Sequence, residues 1–136
     1  MLGITYAQAR VITDAALARA EEMNCPISVA VIDAGRELVT FGRQAGAPLA
    51  SAEIAQAKAF TSRSLDVATV DLAVVTQPGG PLFGLETACG RPLVTFGGGR
   101  PLFSDGIVIG AIGVSGGTVE QDDEIALCAA NVLDRN

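Results

Sequence analysis

The stretch from Asp105 to Thr118 is the sequence feature that most constrains how this chain folds. It is a run of small and β-branched apolar residues, with Asp-Gly before it and Ser-Gly-Gly after it. A short apolar run between turn signals predicts a buried central strand rather than a helix. Gly110 and Gly113 leave gaps in that strand, and such gaps indicate a bulge or a group packed close against the backbone. The other elements are therefore expected to be arranged around this strand.

A helix is predicted directly after this strand. Thr118 and Gln121 have the Thr-x-x-Gln spacing of a capping box, which predicts a helix from Val119 to about Leu133. The free N–H groups at a helix start favour an anion. The strand end, the Gly-rich turn and the helix start thus form either an anion site or a tight connection without a ligand.

The remaining pattern predicts an α+β protein with a single five-stranded antiparallel sheet flanked by helices, in the order α-β-β-α-α-β-β-β-α. A capping box at Thr5 and Gln8 begins the first helix, and Thr69 is expected to cap a short one. The Pro-Gly-Gly-Pro segment within residues 77–84 predicts an irregular loop, either a lid or a subunit-contact arm. The other predicted elements are helices 6–23, 49–65 and 70–75, and strands 27–33, 37–43, 93–96 and 102–104.

Length and composition exclude several classes of protein. A chain of 136 residues predicts one domain, residues 1–136, that buries roughly two thirds of its unfolded surface. No apolar run reaches the ~18 residues that cross a bilayer. The net charge of −6 argues against binding to nucleic acid or to an anionic membrane, since both require a basic surface. With 49% hydrophobic residues, the chain is expected to bury apolar surface between subunits of a homo-oligomer.

Cysteine usage and the N-terminus favour a cytoplasmic location. The N-terminus lacks the basic segment and apolar core of a signal peptide. The three cysteines, Cys25, Cys89 and Cys128, are too widely spaced for a metal knuckle or a disulfide framework. A reduced, cytoplasmic protein without a metal site is therefore expected. The chain has no histidine, which excludes any mechanism that needs an imidazole.

Polar residues within apolar motifs form a candidate catalytic set. Arg43 could hold a substrate carboxylate through its planar fork. Lys58, if desolvated, could act as a base or form a Schiff base, and Asp33 or Glu53 could move the proton. The structural alternative is that Asp33 begins a hairpin turn, that Arg43 pairs with Glu53, and that Lys58 is solvated. Asp105 belongs to the same constellation.

Several motifs, in order along nearly the whole chain, resemble the GlcG/HbpS family, the haem-degrading domain family that includes the C-terminal domain of PduO-type proteins. The resemblance implies helices around an antiparallel sheet, assembly into dimers and larger rings or octamers, and no catalytic mechanism shared by all members. It also implies that haem, or iron released from it, is a possible ligand. The motifs are Val31–Gly35, Ala55–Thr61, Pro81–Gly84, Phe96–Pro101 and Gly110–Gly117, with Asp122.

A ligand is expected between the start of the 49–65 helix, the Gly97–Gly99 turn and the Gly113–Gly117 connection, completed by a neighbouring subunit. Haem-binding relatives use histidine as an axial ligand, which this chain lacks, so the alternative donors are Tyr6, Met23, Cys25 and Cys128. The candidate cofactor contacts are Thr61, Gly97, Gly98, Gly99, Gly113, Ser115 and Gly116.

Three functions remain open at this stage. The first is an oligomeric protein that binds a small molecule or haem-like cofactor and is associated with catabolic metabolism. The second is a small enzyme, such as a tautomerase, an isomerase or an imine hydrolase, that acts on a carboxylate or an aromatic catabolite. The third is a purely structural oligomer that stabilises a partner enzyme.

Overall fold

A four-stranded antiparallel sheet organises the fold. The structure is a computed structural model that describes residues 3–133. The elements are α1 (Tyr6–Glu22), β1 (Ser28–Asp33), β2 (Leu38–Arg43), α2 (Ser51–Leu65), α3 (Thr69–Val75), β3 (Gly99–Ser104), β4 (Ile107–Ser115) and α4 (Val119–Ala130). The strand order in the sheet is β2-β1-β4-β3, and a 3₁₀ turn at Leu85–Thr87 lies between α3 and β3.

The prediction of a fifth strand at residues 93–96 is wrong. This segment pairs with no strand of the sheet, because its backbone N–H groups find other acceptors. The Leu93 N–H donates to the Glu86 carbonyl at 3.1 Å, and the Val94 N–H donates to the Thr61 hydroxyl at 2.8 Å. Leu93 is buried, so the apolar run covers α2 instead of extending the sheet.

The expected turn at Gly97–Pro101 is shorter than predicted, because β3 already begins at Gly99. The Gly99 N–H donates to the Thr69 hydroxyl at 2.8 Å. Thr69 is therefore not the cap of α3. The cap is Ala68, which contributes no side-chain hydrogen bond, and the Thr69 hydroxyl joins the start of α3 to the start of β3.

The two capping boxes predicted from the sequence are confirmed. Thr5 and Gln8 bond reciprocally at the start of α1, and Thr118 and Gln121 do so at the start of α4. Each box satisfies two N–H groups that a helix start leaves free. Along β4 this places the central strand, a Gly-Gly turn and a helix start in succession, as the sequence indicated.

The two faces of the sheet are packed differently. On one face Val29, Ile112 and Val114 join the core that α1 and α4 cover. On the other face β4 presents Ala111 and Gly113 to α2. A methyl group at Gly113 would collide with the Ala55 carbonyl oxygen of α2, so the gap in the strand is filled by helix backbone.

Within the described part of the chain, the longest apolar helices fall short of what spanning a bilayer requires.

Candidate functional site

The most unusual group in the molecule is the fully buried amine of Lys58. Its Nζ donates to the Val114 carbonyl at 2.8 Å and to Asp122 Oδ2 at 3.0 Å. Both side chains of the pair are almost completely buried, with exposures of 1% for Lys58 and 3% for Asp122. The other carboxylate oxygen of Asp122 accepts the Gly117 N–H at 2.8 Å. Each charged group therefore has the partners that burial demands.

The geometry of this pair depends on glycine at the start of β3. Lys58 is on α2 and Asp122 is on α4, which lie on opposite faces of the sheet. The lysine side chain passes the sheet beside Gly98, where a Cβ would lie 2.6 Å from Nζ. Gly98 also has φ +128°, which disfavours other residues. Because Gly98 has no side chain, the Lys58 amine has room to reach Asp122, and the ion pair can join the two helical layers.

Phe96 lies beside the buried amine on the solvent side. The centroid of its ring is 5.1 Å from Lys58 Nζ, which is within cation–π distance. Phe96 is also 41% exposed. It therefore lies near the ammonium group and remains partly open to solvent.

Burial shifts the pKa of each member of the pair in the direction that favours its neutral form. It lowers the pKa of Lys58, and the negative charge of Asp122 partly offsets that shift. It raises the pKa of Asp122, against the opposing effects of Lys58 and of the Gly117 N–H. A lysine with a lowered pKa can serve as a base or a nucleophile. Here, however, its amine is already engaged by two acceptors.

The structure does not bring the four candidate catalytic residues together. Asp33 is at the hairpin end of β1, where its Oδ1 accepts the N–H groups of Gly35 and Glu37, both at 2.9 Å. Val29, which pairs with Val114 beside the Lys58 amine, is four residues away along that strand. Asp33 therefore performs the turn role given as its structural alternative.

Arg43 and Glu53 lie at the same end of the sheet as Lys58 but are exposed. Arg43 donates to the Ala47 carbonyl at 2.6 Å. Among the described residues it forms no ion pair with Glu53, so the expected structural pairing is wrong. Asp105 is an exposed turn residue with φ +49°.

The candidate cofactor contacts are close to one another, but protein atoms fill the space between them. Gly98 adjoins the Lys58 amine, and Gly99 and Gly113 lie against α2 backbone. A Cβ on Gly97 would be 3.2 Å from the Asp123 Cβ, and one on Gly116 would collide with the Pro26 carbonyl oxygen.

Thr61 and Ser115 are also buried, at 0% and 7% exposure. The Thr61 hydroxyl donates to the Ala57 carbonyl at 2.7 Å and accepts the Val94 N–H at 2.8 Å. Ser115 is the last residue of β4 and is paired with Ser28.

Exposed apolar side chains lie outside this packed region, on residues 77–96 between α3 and β3, which we call the long loop. Leu82, Phe83 and Phe96 of this loop are 45%, 66% and 41% exposed. Cys89, also in the loop, is an exposed free thiol. Large apolar side chains that remain exposed on one segment are typical of a surface that binds a ligand or another protein.

The four candidate axial donors named from the sequence are scattered. Tyr6 is 64% exposed at the start of α1, and Met23 follows the end of that helix. Cys25 is buried, and burial raises the pKa of its thiol, whereas Cys128 is exposed on α4. Within residues 3–133, no three Cys, Asp or Glu side chains are grouped to hold a metal ion, and the chain has no histidine.

Sequence reasoning included Asp122 in a motif but left it out of the candidate site. The signal that could have identified Asp122 is its position. It directly follows Gln121 of the last capping box and therefore lies in the first turn of α4. A carboxylate there faces free N–H groups and attracts a cation. The exposed apolar residues of the long loop were not predicted as a surface.

Comparisons with known proteins identify the family. A family model described as haem degrading protein HbpS-like matches residues 4–131. The corrinoid adenosyltransferase PduO of Salmonella typhimurium is 47% identical over 119 residues, which is 87% of this chain. The chain spans 35% of that protein's length, and 40% of the length of PduO from Citrobacter freundii.

Two crystal structures are similar over almost the whole chain. Protein ORFY from Klebsiella pneumoniae has a TM-score of 0.96 and 35% identity, covering 100% of this chain and 94% of that one. The complex of PduOC with haem has a TM-score of 0.90 and 40% identity, covering 95% and 94% of the two chains. The chain therefore belongs to the HbpS-like family of haem-degrading proteins, as its motifs indicated.

Proposed function

We propose that this protein binds a haem-type planar cofactor, without imidazole ligation, on the surface of the long loop. The observation that carries this proposal is the 40% identity, over nearly the whole length of both chains, to a protein crystallised as a haem complex. The position of such a ligand and its donor atoms are inferred from the residues of this chain.

The macrocycle of haem is large, flat and mostly apolar, so it needs an apolar surface. The inner face of the sheet has no room for it, because α2 backbone lies against Gly113. The exposed side chains of Leu82, Phe83 and Phe96 offer the required surface. Phe96, 5.1 Å from the Lys58 amine, lies in the region that the sequence motifs indicated.

Among the sulfur and oxygen donors, we propose Cys89 as the axial ligand. Thiolate and phenolate are both established haem donors. Cys89 is exposed on the same loop as the apolar side chains, whereas Tyr6 and Cys128 are on α1 and α4. Bound haem would supply an iron centre for ligand exchange and electron transfer, while the protein contributes the thiol and the apolar surface.

We also propose that the functional unit is a cytoplasmic homo-oligomer, between a dimer and an octamer. Further exposed apolar side chains support burial between copies, among them Tyr6, Val11, Leu38 and Phe41 at 39–64% exposure. Sedimentation velocity at micromolar concentration tests the assembly, and a monomer would contradict it.

The test of haem binding is a titration of haemin into the purified, reduced protein, followed by the visible spectrum. We expect saturable binding with a spectrum unlike that of bis-histidine haem. Cys89→Ser should change the spectrum, and Cys128→Ser, which removes another exposed thiol, should not. Phe83→Ser should weaken binding about thirtyfold, since a buried phenyl ring contributes roughly 2 kcal/mol. Ile107→Ser, at another exposed apolar residue, should leave it unchanged.

Two results would contradict two different parts of this proposal, haem binding itself and the axial ligand. Non-saturable uptake of haemin, equal in the wild type and Phe83→Ser, would refute haem binding on the long loop. Saturable binding with a spectrum that Cys89→Ser leaves intact would refute only the assignment of the axial ligand. In that case Tyr6→Phe and Cys128→Ser would identify which other donor is used.

The second candidate is the small enzyme that acts on a carbonyl or carboxylate compound. The observation that favours it is the buried amine of Lys58 with its lowered pKa. Borohydride reduction in the presence of a small aldehyde would trap a Schiff base on that amine. Labelling that requires Lys58 would favour the enzyme, and labelling confined to the N-terminus would argue against it.

A further inference from the structure

Two arginine side chains converge on one buried aromatic ring, away from the Lys58–Asp122 pair. The guanidinium carbon of Arg36 is 4.8 Å from the centroid of the Phe60 ring, and that of Arg91 is 4.0 Å from it. The two cationic groups are therefore separated by at most the sum of these distances. They line a groove of about 250 Å³ together with Phe60, Gly35, Glu37, Cys89 and Gly90.

Neither guanidinium forms an ion pair with a carboxylate of the described residues. Within residues 3–133, four other arginines form ion pairs, but Arg36 and Arg91 are absent from all of them. The polar partner of Arg36 is the Ser64 hydroxyl, at 3.2 Å. Two unpaired cations this close repel each other, and in a chain of net charge −6 their convergence is unexpected.

The groove is held in shape by the protein around it. Arg36 has φ +69°, and its N–H donates to the Asp33 carbonyl at 3.0 Å. Asp33 also accepts the N–H groups on either side of Arg36, so the turn that carries this arginine is fixed at three points. At the base of the groove, Phe60 is only 5% exposed and provides a dry surface for both guanidinium planes.

We propose that this groove binds the carboxylate of a small organic monoanion. Each guanidinium presents a planar fork that matches the two oxygens of a carboxylate. Arg36, Arg91 and Glu37 give the groove one net positive charge, which a single carboxylate neutralises. A phosphate dianion would be attracted more strongly by this charge, but its desolvation costs several times more because that cost grows with the square of the charge, so we expect it to be the poorer ligand. The groove adjoins the proposed haem site, because Cys89 lines it and Arg91 is on the long loop, but the proposal does not depend on bound haem.

The test uses the haem-free full chain and follows its amide and arginine Nε–H NMR signals at constant ionic strength. Benzoate is the probe, and benzamide, which has nearly the same shape without the charge, is its control. We expect benzoate to shift the signals of Gly35, Gly90 and Arg91 saturably, and benzamide and inorganic phosphate to bind at least several-fold more weakly.

Substitutions assign the site to its residues. Arg36→Gln and Arg91→Gln should each weaken benzoate binding by about fivefold or more, and Arg91→Lys should also weaken it because the fork is lost. Arg10→Gln, at an exposed arginine of α1 outside the groove, should have no effect. Glu37→Gln should tighten binding, since it removes the negative charge beside the ligand.

Non-saturable shifts, or equal shifts with benzamide, would overturn the proposal. So would equal affinities in the wild type and Arg91→Lys, a variant that keeps the charge and is expected to fold. Phosphate binding as tight as that of benzoate would overturn the assignment to a carboxylate. Failure of haem binding to the long loop would leave this result unaffected, because no haem is present in the titration.

Discussion

The ammonium group of Lys58 lies 3.0 Å from the Asp122 carboxylate and thereby links helix α2, on one face of the sheet, to helix α4, on the other. Removing one member of such a pair leaves the other buried without its partner, which costs more than the pair itself contributes. The pair therefore matters for stability even though its formation required the desolvation of two charges.

Lys58→Met is expected to lower the free energy of unfolding by about 3–5 kcal/mol, because Asp122 would remain buried without a counter-charge. Urea denaturation measures this loss. Lys58→Met combined with Asp122→Leu should recover most of it, and Arg10→Met, which breaks an exposed pair, should cost ~1 kcal/mol or less. A single Lys58→Met variant as stable as the wild type would show that the pair is not structural.

The raised pKa of Asp122 predicts a specific dependence of stability on pH. A carboxyl whose folded pKa is above its unfolded value of 3.8 favours the folded state below that value, and this advantage is lost as pH rises through the folded pKa. The stability of the wild type relative to Asp122→Asn should therefore fall as pH rises above 3.8. Urea midpoints of both proteins between pH 3.5 and 7 measure the difference, and an increase with pH would contradict the prediction.

Gly113→Ala is expected to destabilise the protein by roughly 3 kcal/mol, at the upper end of overpacking costs, because the added methyl group meets helix backbone. Thermal or urea unfolding measures the effect. Gly90→Ala is the matched control, since a Cβ there meets nothing within 4 Å, and it should change stability little. Equal stability of the two variants would mean that α2 moves away from β4 easily.

Thr61→Val should release the start of the 93–96 segment from α2, since the hydroxyl that accepts the Val94 N–H would be absent. We expect a loss of about 1–3 kcal/mol, because that N–H would be left without an acceptor. Hydrogen exchange of the Val94 amide should become faster, while the Gly99 amide, which bonds to Thr69, should be unaffected. Unchanged protection of Val94 would argue against this contact.

The parts of the fold that were predicted correctly are those with local signals. The reciprocal bonds of Thr5 with Gln8, and of Thr118 with Gln121, involve residues three positions apart, so the sequence contains the whole motif. The strand predicted at residues 93–96 failed for the opposite reason. Its acceptor, Thr61, is 33 residues away, and no pattern within the segment indicates that contact.

The candidate site was only partly predictable for the same physical reason. The motif around Lys58 was identified, but its burial depends on Asp122, 64 residues further along, and on the missing side chain at Gly98. An isolated lysine in a sequence is expected to be solvated. No local pattern in the sequence indicates Arg36 as a binding residue, because only the folded hairpin turn brings it over the Phe60 ring.

The close seating of α2 on Gly113 also limits how this domain can acquire new ligands. With helix backbone in direct contact with strand backbone, that side of the sheet has no interior volume that substitutions could enlarge without separating the two layers. New binding specificity must therefore arise on exposed connections such as the long loop, whose length and side chains can vary at little cost to the core. In this architecture the sheet and α2 form a fixed core, and differences in ligand binding are confined to the exposed loops around it.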